Sequence, residues 1–186
     1  MVSRAGHLAL EMLMGDSRML DVAREVSDAI KAANLEGGIV GGIAVFLHGY
    51  ERTTTDIDVY VTDRQALAGE LADRGFVWSE NDKQFEKNEV PVQVLESEDN
   101  LPFLPTRFSE IDGLRTITLG DLITMKLSTG TKFVHRAQDL ADVVRLIQAV
   151  PLDKSFVGRV AKPYRDEFKK LIDQLDGESS DRFSPR

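Results

Sequence analysis

Val40-Gly41-Gly42, then thirteen residues, then Asp56-Ile57-Asp58-Val59, is the stretch on which the reading of this chain turns. The glycine pair runs into a short apolar segment, residues 43–47, that reads as a helix ending at Gly49. Glycines at the start of a helix let the backbone approach a ligand closely, and the helix then offers unpaired N–H groups to an anion such as phosphate. Asp56 and Asp58 fall in a β-branched run, residues 54–61, that reads as a strand; two positions apart, they point to one face. Carboxylates held that close repel each other, and a bound divalent cation is the ordinary relief. A phosphate cradle beside a cation site is what phosphoryl and nucleotidyl transfer require, because the metal neutralises the triphosphate and aligns the incoming nucleophile. Arg52, just upstream, is placed to meet phosphate oxygens.

Working outward, residues 17–33 carry apolar side chains at helical spacing, with Ser17 as N-cap and Asn34 as the stop. Downstream, Asp63 caps a helix through Leu67 and Leu71 that closes at Gly75. Residues 76–94 read as strands around a turn at Asn88-Glu89, the second covering 90–95. Pro91 either weakens that strand or turns its missing N–H away from the ladder. A further short strand is expected at 114–117, then a helix after Leu119-Gly120-Asp121. Ala137, Leu140, Ala141, Val144 and Ile147 make the apolar stripe of a helix over 134–149, which Pro151 stops. One or two more helices reach residue 175, and the Ser-, Asp-, Arg- and Pro-containing end reads as a disordered tail.

The expected fold is therefore α/β (α+β): a small mixed β-sheet core flanked by helices, with a helical C-terminal portion. The divisions are N-terminal helices (1–34), core (35–118), helices packed on it (119–176) and tail (177–186). No linker rich in Pro, Gly or Ser cuts the chain into independent folding units.

Composition narrows the function. The chain has 186 residues, 42% apolar and 29% charged, enough for one domain with a real core. Its 23 Lys and Arg against 31 Asp and Glu leave a net charge of −8, which argues against non-specific coating of nucleic acid. Without cysteine there is no disulfide framework, thiolate metal site or cysteine nucleophile. No run of membrane-spanning length is present, and Glu11 and Asp16 interrupt the first apolar stretch in a way that does not suit a secretory signal. A cytoplasmic protein that does not enter membranes is expected.

The Gly-Gly and Asp-Ile-Asp halves together resemble the signature of the nucleotidyltransferase superfamily that includes DNA polymerase beta. The spacing here is the longest that pattern admits. Residues 41–61, Leu-Gly-Asp-Leu-Ile-Thr-Met-Lys at 119–126 and Arg-Ala-Gln-Asp-Leu-Ala-Asp-Val-Val-Arg-Leu-Ile at 136–147 resemble the small bacterial branch related to abortive-infection toxins. The resemblance covers residues 35–150. It implies a Mg²⁺-dependent enzyme, with Mn²⁺ as a substitute, that moves a nucleoside monophosphate from an NTP to an acceptor hydroxyl. Asp56 and Asp58 would be the catalytic and metal-holding residues, and Gly41, Gly42, Arg52 and Lys126 would bind the nucleotide. The acceptor stays open between a protein side chain, a tRNA end and a small molecule. A role in a toxin–antitoxin pair or in phage defence, with a partner protein or a homodimer, is compatible with it.

One position departs from the pattern. The superfamily takes a third carboxylate from a neighbouring strand, and the matching place here is Val92-Gln93-Val94. A glutamine brings no charge to a metal and cannot serve as a general base. Glu96 is at odd spacing from Gln93 and should face the other way, while Glu86 and Glu89 are the other carboxylates near the strand. Gln93 motivates the alternative expectation, a degenerate member that binds nucleotide or a partner without turnover. Several residues also have plain structural readings. Lys126 would pair with Asp139 or Asp142, Arg136 would pair locally with those two aspartates, and His48 would cap or pack. His135 has no partner motif, Trp78 and Phe85 would pack in the core or at a sheet edge, and residues 96–99 would form a solvated loop.

Overall fold

The computed structural model describes residues 18–182. Helix α1 (Arg18–Ala32) buries Met19, Val22, Val26 and Ile30 on one face, following the apolar stripe of its sequence. Just past its end, Asn34 takes the left-handed conformation with φ 51°. Ser17 and the remainder of the expected N-terminal helices lie outside the described residues. There follow β1 (Gly37–Val40), α2 (Gly41–Leu47), β2 (Ile57–Val61), α3 (Arg64–Asp73), β3 (Val77–Ser79), β4 (Gln84–Lys87), β5 (Val90–Leu95), β6 (Phe108–Ile111) and β7 (Leu114–Ile117). Three longer helices complete the chain: α4 (Leu119–Gly130), α5 (Ala137–Ala149) and α6 (Arg165–Arg182).

All seven strands form one mixed sheet in the order β3-β4-β5-β2-β1-β7-β6. The central strand β2 runs antiparallel to β1 and parallel to β5, and β1 runs parallel to β7. Successive residues of β2 therefore serve two layers. Ile57, Val59 and Val61 face a core made with α1 and α3, whereas Tyr60 joins the core made with α4, α5 and α6. Asp63 caps α3 as its sequence suggests, accepting a hydrogen bond from the Ala66 N–H at 2.9 Å. Asn88 and Glu89, at φ 50° and 65°, form the two-residue turn between β4 and β5, the geometry that matches the twist of a hairpin. Pro91 precedes the ladder to β2, which begins at Ile57 opposite Val92, so its missing N–H costs that ladder nothing.

Four boundaries differ from the sequence reading. The strand expected over 54–61 starts only at Ile57: β1 ends opposite Asp58, and the ladder to β5 begins at Ile57 with Val92. The short helix starts at Gly41 instead of residue 43. The helix expected from residue 134 begins with a 3-10 turn, Val134–Arg136, and becomes α-helical at Ala137. Helix α6 continues to Arg182, so residues 177–182, assigned to the tail, are helical. Extending an existing helix costs far less than nucleating one, so a polar sequence can continue it. The sequence reading also missed β6, which pairs with β7 through Asp112-Gly113. Among the described residues, no helix is long and apolar enough to cross a membrane.

Candidate functional site

The cleft lies where β1 runs into α2, on the sheet face that carries Asp58. Gly41 sits at φ +63°, a conformation that L side chains rarely adopt. A Cβ there would lie 1.8 Å from Asp58 Oδ2, so glycine is required by space as well as by backbone. A Cβ on Gly42 would come within 2.5 Å of Thr54 Oγ1 and 3.0 Å of an Arg52 guanidinium nitrogen. The glycine pair thus brings α2 directly against the Asp58 carboxylate and the loop that carries Arg52, Thr54 and Asp56. Thr54 Oγ1 donates to Asp56 Oδ1 at 3.0 Å, which fixes that carboxylate at the end of the loop.

Two adjoining chambers open from this point. One, of about 190 Å³, is polar and is lined by Gly42, Arg52, Thr54, Asp56, His135 and Gln138. The other, of about 230 Å³, is more apolar and is lined by Val40, Gly41, Leu95, Leu101 and Met125. Asp58, Gln93, Lys126, Arg136 and Asp139 border both. Gln93 is paired in register with Asp58 across the parallel β2–β5 ladder, the position at which the sequence reading looked for a third carboxylate. Glu96 points away and pairs with Arg64 at 3.1 Å. Glu89 pairs with Arg18 at 3.3 Å, and neither it nor Glu86 lines the cleft.

The far wall is an ion network. Lys126, 6% exposed, places its Nζ 2.7 Å from Asp139 Oδ1 and 2.9 Å from Asp142 Oδ2. Arg52 reaches the same Asp142 oxygen at 3.1 Å, and Gln138 donates to Asp142 Oδ1 at 2.9 Å. Arg136 Nε and Thr129 Oγ1 each lie 2.7 Å from Asp139 Oδ2. The local pairing expected along α5 holds for Arg136 with Asp139. Asp142 ties α5 to α4 through Lys126, a pairing the sequence reading offered, and also to the Arg52 loop, which no spacing along the sequence could show.

Electrostatics separates the carboxylates. Burial, together with the like charge of Asp56, pushes Asp58 up to about 6 against the opposing pull of Lys126, Arg136 and Arg52. Burial also works to raise Asp139, but its bonds and charge contacts with Lys126, Thr129 and Arg136 outweigh that and leave it below the usual carboxylate range. His48, read as a packing residue, sits with Nε2 2.8 Å from the Ile117 carbonyl, and burial lowers its pKa against that contact. His135 and Gln138 line the polar chamber although nothing in the sequence marked them. Among the described residues no group of three or more His, Cys, Asp or Glu side chains is arranged to hold a metal.

No family model matches the sequence, and no curated protein matches it significantly. Solved structures do share its fold. An antigenic nucleotidyltransferase-like protein from Paracoccidioides brasiliensis superposes with a TM-score of 0.51 at 15% identity, over 88% of this chain and 89% of that one. A nucleotidyltransferase candidate from H. pylori superposes with a TM-score of 0.55 at 13% identity, over 96% of this chain and 98% of that one. The mixed α/β fold is thus that of nucleotidyltransferase-like proteins, and the likeness extends through the C-terminal helices.

Proposed function

We propose that this protein is a divalent-cation-dependent nucleotidyltransferase that moves a nucleoside monophosphate from an NTP to an acceptor hydroxyl. The observation that carries the reading is Asp56 and Asp58 on one cleft wall, with the Gly41-Gly42 turn packed against the Asp58 carboxylate. The donor set suits a cation that takes its remaining ligands elsewhere. Two carboxylates raise each other's energy, and Gln93 adds one neutral oxygen. Asp56 and Asp58 would hold Mg²⁺, or Mn²⁺ in its place, which when bound supplies charge neutralisation on the triphosphate.

The chain's own residues divide the remaining work. Gly41 and Gly42 admit the phosphates close to the backbone. Arg52, Lys126 and Arg136 bring positive charge to the cleft, held in place by Asp139 and Asp142. That pairing lowers their net attraction for phosphate and keeps their geometry fixed, which favours positioning over raw affinity. The apolar chamber beside Leu95, Leu101 and Met125 suits a base or an acceptor side chain. The acceptor remains one of a protein side chain, a tRNA end or a small molecule, and a toxin–antitoxin or phage-defence role is compatible with each.

A second reading has its own observation. Gln93 stands opposite Asp58, so a positioned base is absent from that place, and the fold would then bind nucleotide or a partner without turnover. The experiment that separates the two is incubation with labelled NTPs, Mg²⁺ or Mn²⁺ and cell extract. Label transfer that is lost in Asp56→Asn supports the enzyme; NTP binding without transfer supports the degenerate reading. Gln93→Asp sharpens the result. It should raise transfer by up to about 10²- to 10⁴-fold, the usual worth of a general base, and should strengthen Mg²⁺ binding in calorimetry. An unchanged variant would sink the role given to that position.

A further inference from the structure

A second pocket, of about 640 Å³, opens on the opposite face of the sheet from the Asp58 cleft. Its wall is made by Trp78, Phe85, Arg64, Gln65, Ala68 and Glu96. The two cavities are separate: Leu95, the last residue of β5, lines the cleft, and Glu96, just past the strand's end, lines the second pocket. Trp78 is 39% exposed although it is a large aromatic residue. Its ring stands edge-on to Phe85 at 5.0 Å, which sets its orientation. A pre-oriented, half-bare indole beside a methyl side chain is a surface for a flat ring to stack on.

The polar groups restrict what that ring can carry. Arg64 is the wall's cation, and it is already held by Glu96 at 3.1 Å and by Asp99. Two carboxylates thus neutralise that guanidinium, and the Asp63 carboxylate lines the pocket as a further negative group. A phosphate would be repelled here, in contrast to the cleft across the sheet. The exposed Gln65 side chain offers both a donor and an acceptor at the rim, which matches an amide-like ring edge with a carbonyl next to an N–H.

We propose that this pocket binds an uncharged, flat heteroaromatic molecule with an amide-like edge, stacked on Trp78 and read by Gln65. The pocket volume lies in the range that takes molecules of nucleoside or drug size. The ligand carries no phosphate, so it is distinct from the NTP of the cleft, and its binding stands whether or not the cleft turns over.

The chain contains one tryptophan, so fluorescence excited beyond tyrosine absorption reads Trp78 alone. Because Trp78 also borders a cavity with Gly75, Glu86 and Lys87, the Gln65 variant ties the signal to this pocket. The test titrates the full chain with guanosine as the probe, beside GTP. Guanosine should quench Trp78 saturably, and GTP should bind at least tenfold more weakly by the same signal. Gln65→Ala, an exposed substitution with no packing to lose, should weaken guanosine by about fivefold or more. Trp78→Ala, followed by calorimetry with circular dichroism as the fold control, should weaken it at least tenfold, the usual scale of base–aromatic stacking. Absence of saturable quenching, GTP binding as tightly as guanosine, or unchanged affinity in the folded Gln65→Ala or Trp78→Ala variants would each overturn the proposal. An Asp56→Asn protein that has lost label transfer yet still binds guanosine at Trp78 separates this site from the cleft.

Discussion

The two faces of the central sheet are both covered by apolar layers, but only one of them also buries charge. On one face, α1 and α3 cover Ile57, Val59 and Val61 with Val22, Val26, Ile30, Leu67 and Leu71, and the layer holds together by apolar burial. On the other, α4, α5 and α6 build a second apolar core around Tyr60, Leu122, Leu146 and Phe168. There α4 and α5 are also tied through Lys126, Asp139 and Asp142, each under a tenth exposed, with Arg52 and Arg136 closing the network. Apolar burial stabilises in proportion to area and tolerates many sequences. A buried ion network returns little net stability, since desolvation offsets the attraction, but it fixes where each charge sits. The face that adds a charge network to its apolar core is the face with the cleft, so the difference between the two sides is positioning added to burial.

The largest expected effects compare one deletion on each face. Asp142→Ala leaves Lys126 without one of its two carboxylates and Arg52 without its partner in the network. It should cost about 3–5 kcal/mol, the range for breaking a buried pair. Leu71→Ala, on the apolar face, should cost about 2–5 kcal/mol through lost burial and the cavity left behind. The faces separate in the paired replacement. Lys126→Met with Asp142→Leu should recover most of the loss in denaturant unfolding, because buried Asp139 keeps Arg136 and only the partly exposed Arg52 loses its partner, while abolishing label transfer. Recovery of transfer as well would show that the network is structural only.

Next in size is the proton on Asp58. Its carboxyl holds a proton up to about pH 6 in the folded chain, whereas the ordinary value is 3.8. Between those values the folded state binds more protons than the unfolded one. Stability therefore falls as pH rises through that window and stays lower above it. Asp58→Asn removes the penalty. It should be more stable than the parent at pH 8 by about 2 kcal/mol, on the order of 5 °C in Tm, and the two should converge below about pH 4. A variant no more stable at pH 8 would mean that Asp58 is not strained by its surroundings. The same variant should lose transfer at every pH.

The apolar face was also the more legible one. The helical stripe of α1, the Asp63 cap and the Asn88-Glu89 turn are local signals, and each lies where its pattern places it. β6 was missed although Asp112-Gly113 is a short hairpin signal, because its strand, Phe-Ser-Glu-Ile, carries few apolar residues at the sheet edge. The cleft was legible only in part. The glycine pair and the two aspartates are local enough in sequence to be read together, and Gln93, placed by the resemblance alone, falls in register with Asp58. Asp142 with Arg52, and the placement of His135 and Gln138, depend on how α5 docks against the sheet. Pairs across that distance leave no periodicity in one sequence.

The smallest effect tests whether burial, and not ion pairing as such, makes the network costly to break. Arg74 and Glu70 pair at i, i+4 on the outer side of α3, with side chains 28% and 33% exposed. They have the same charge chemistry as Arg52 with Asp142, but water reaches both groups. Such a pair gains little, because solvent screens the attraction and holding two long side chains in one geometry costs entropy. Glu70→Ala should therefore cost only about 0.3–0.5 kcal/mol in urea unfolding. The loss should shrink further in about 1 M salt, where the screening length falls to about 3 Å. The Asp142→Ala loss should barely respond to the same salt, since its partners are shielded from the ions. A Glu70→Ala cost comparable to that of Asp142→Ala, or an Asp142→Ala cost that salt removes, would erase the distinction between the two faces.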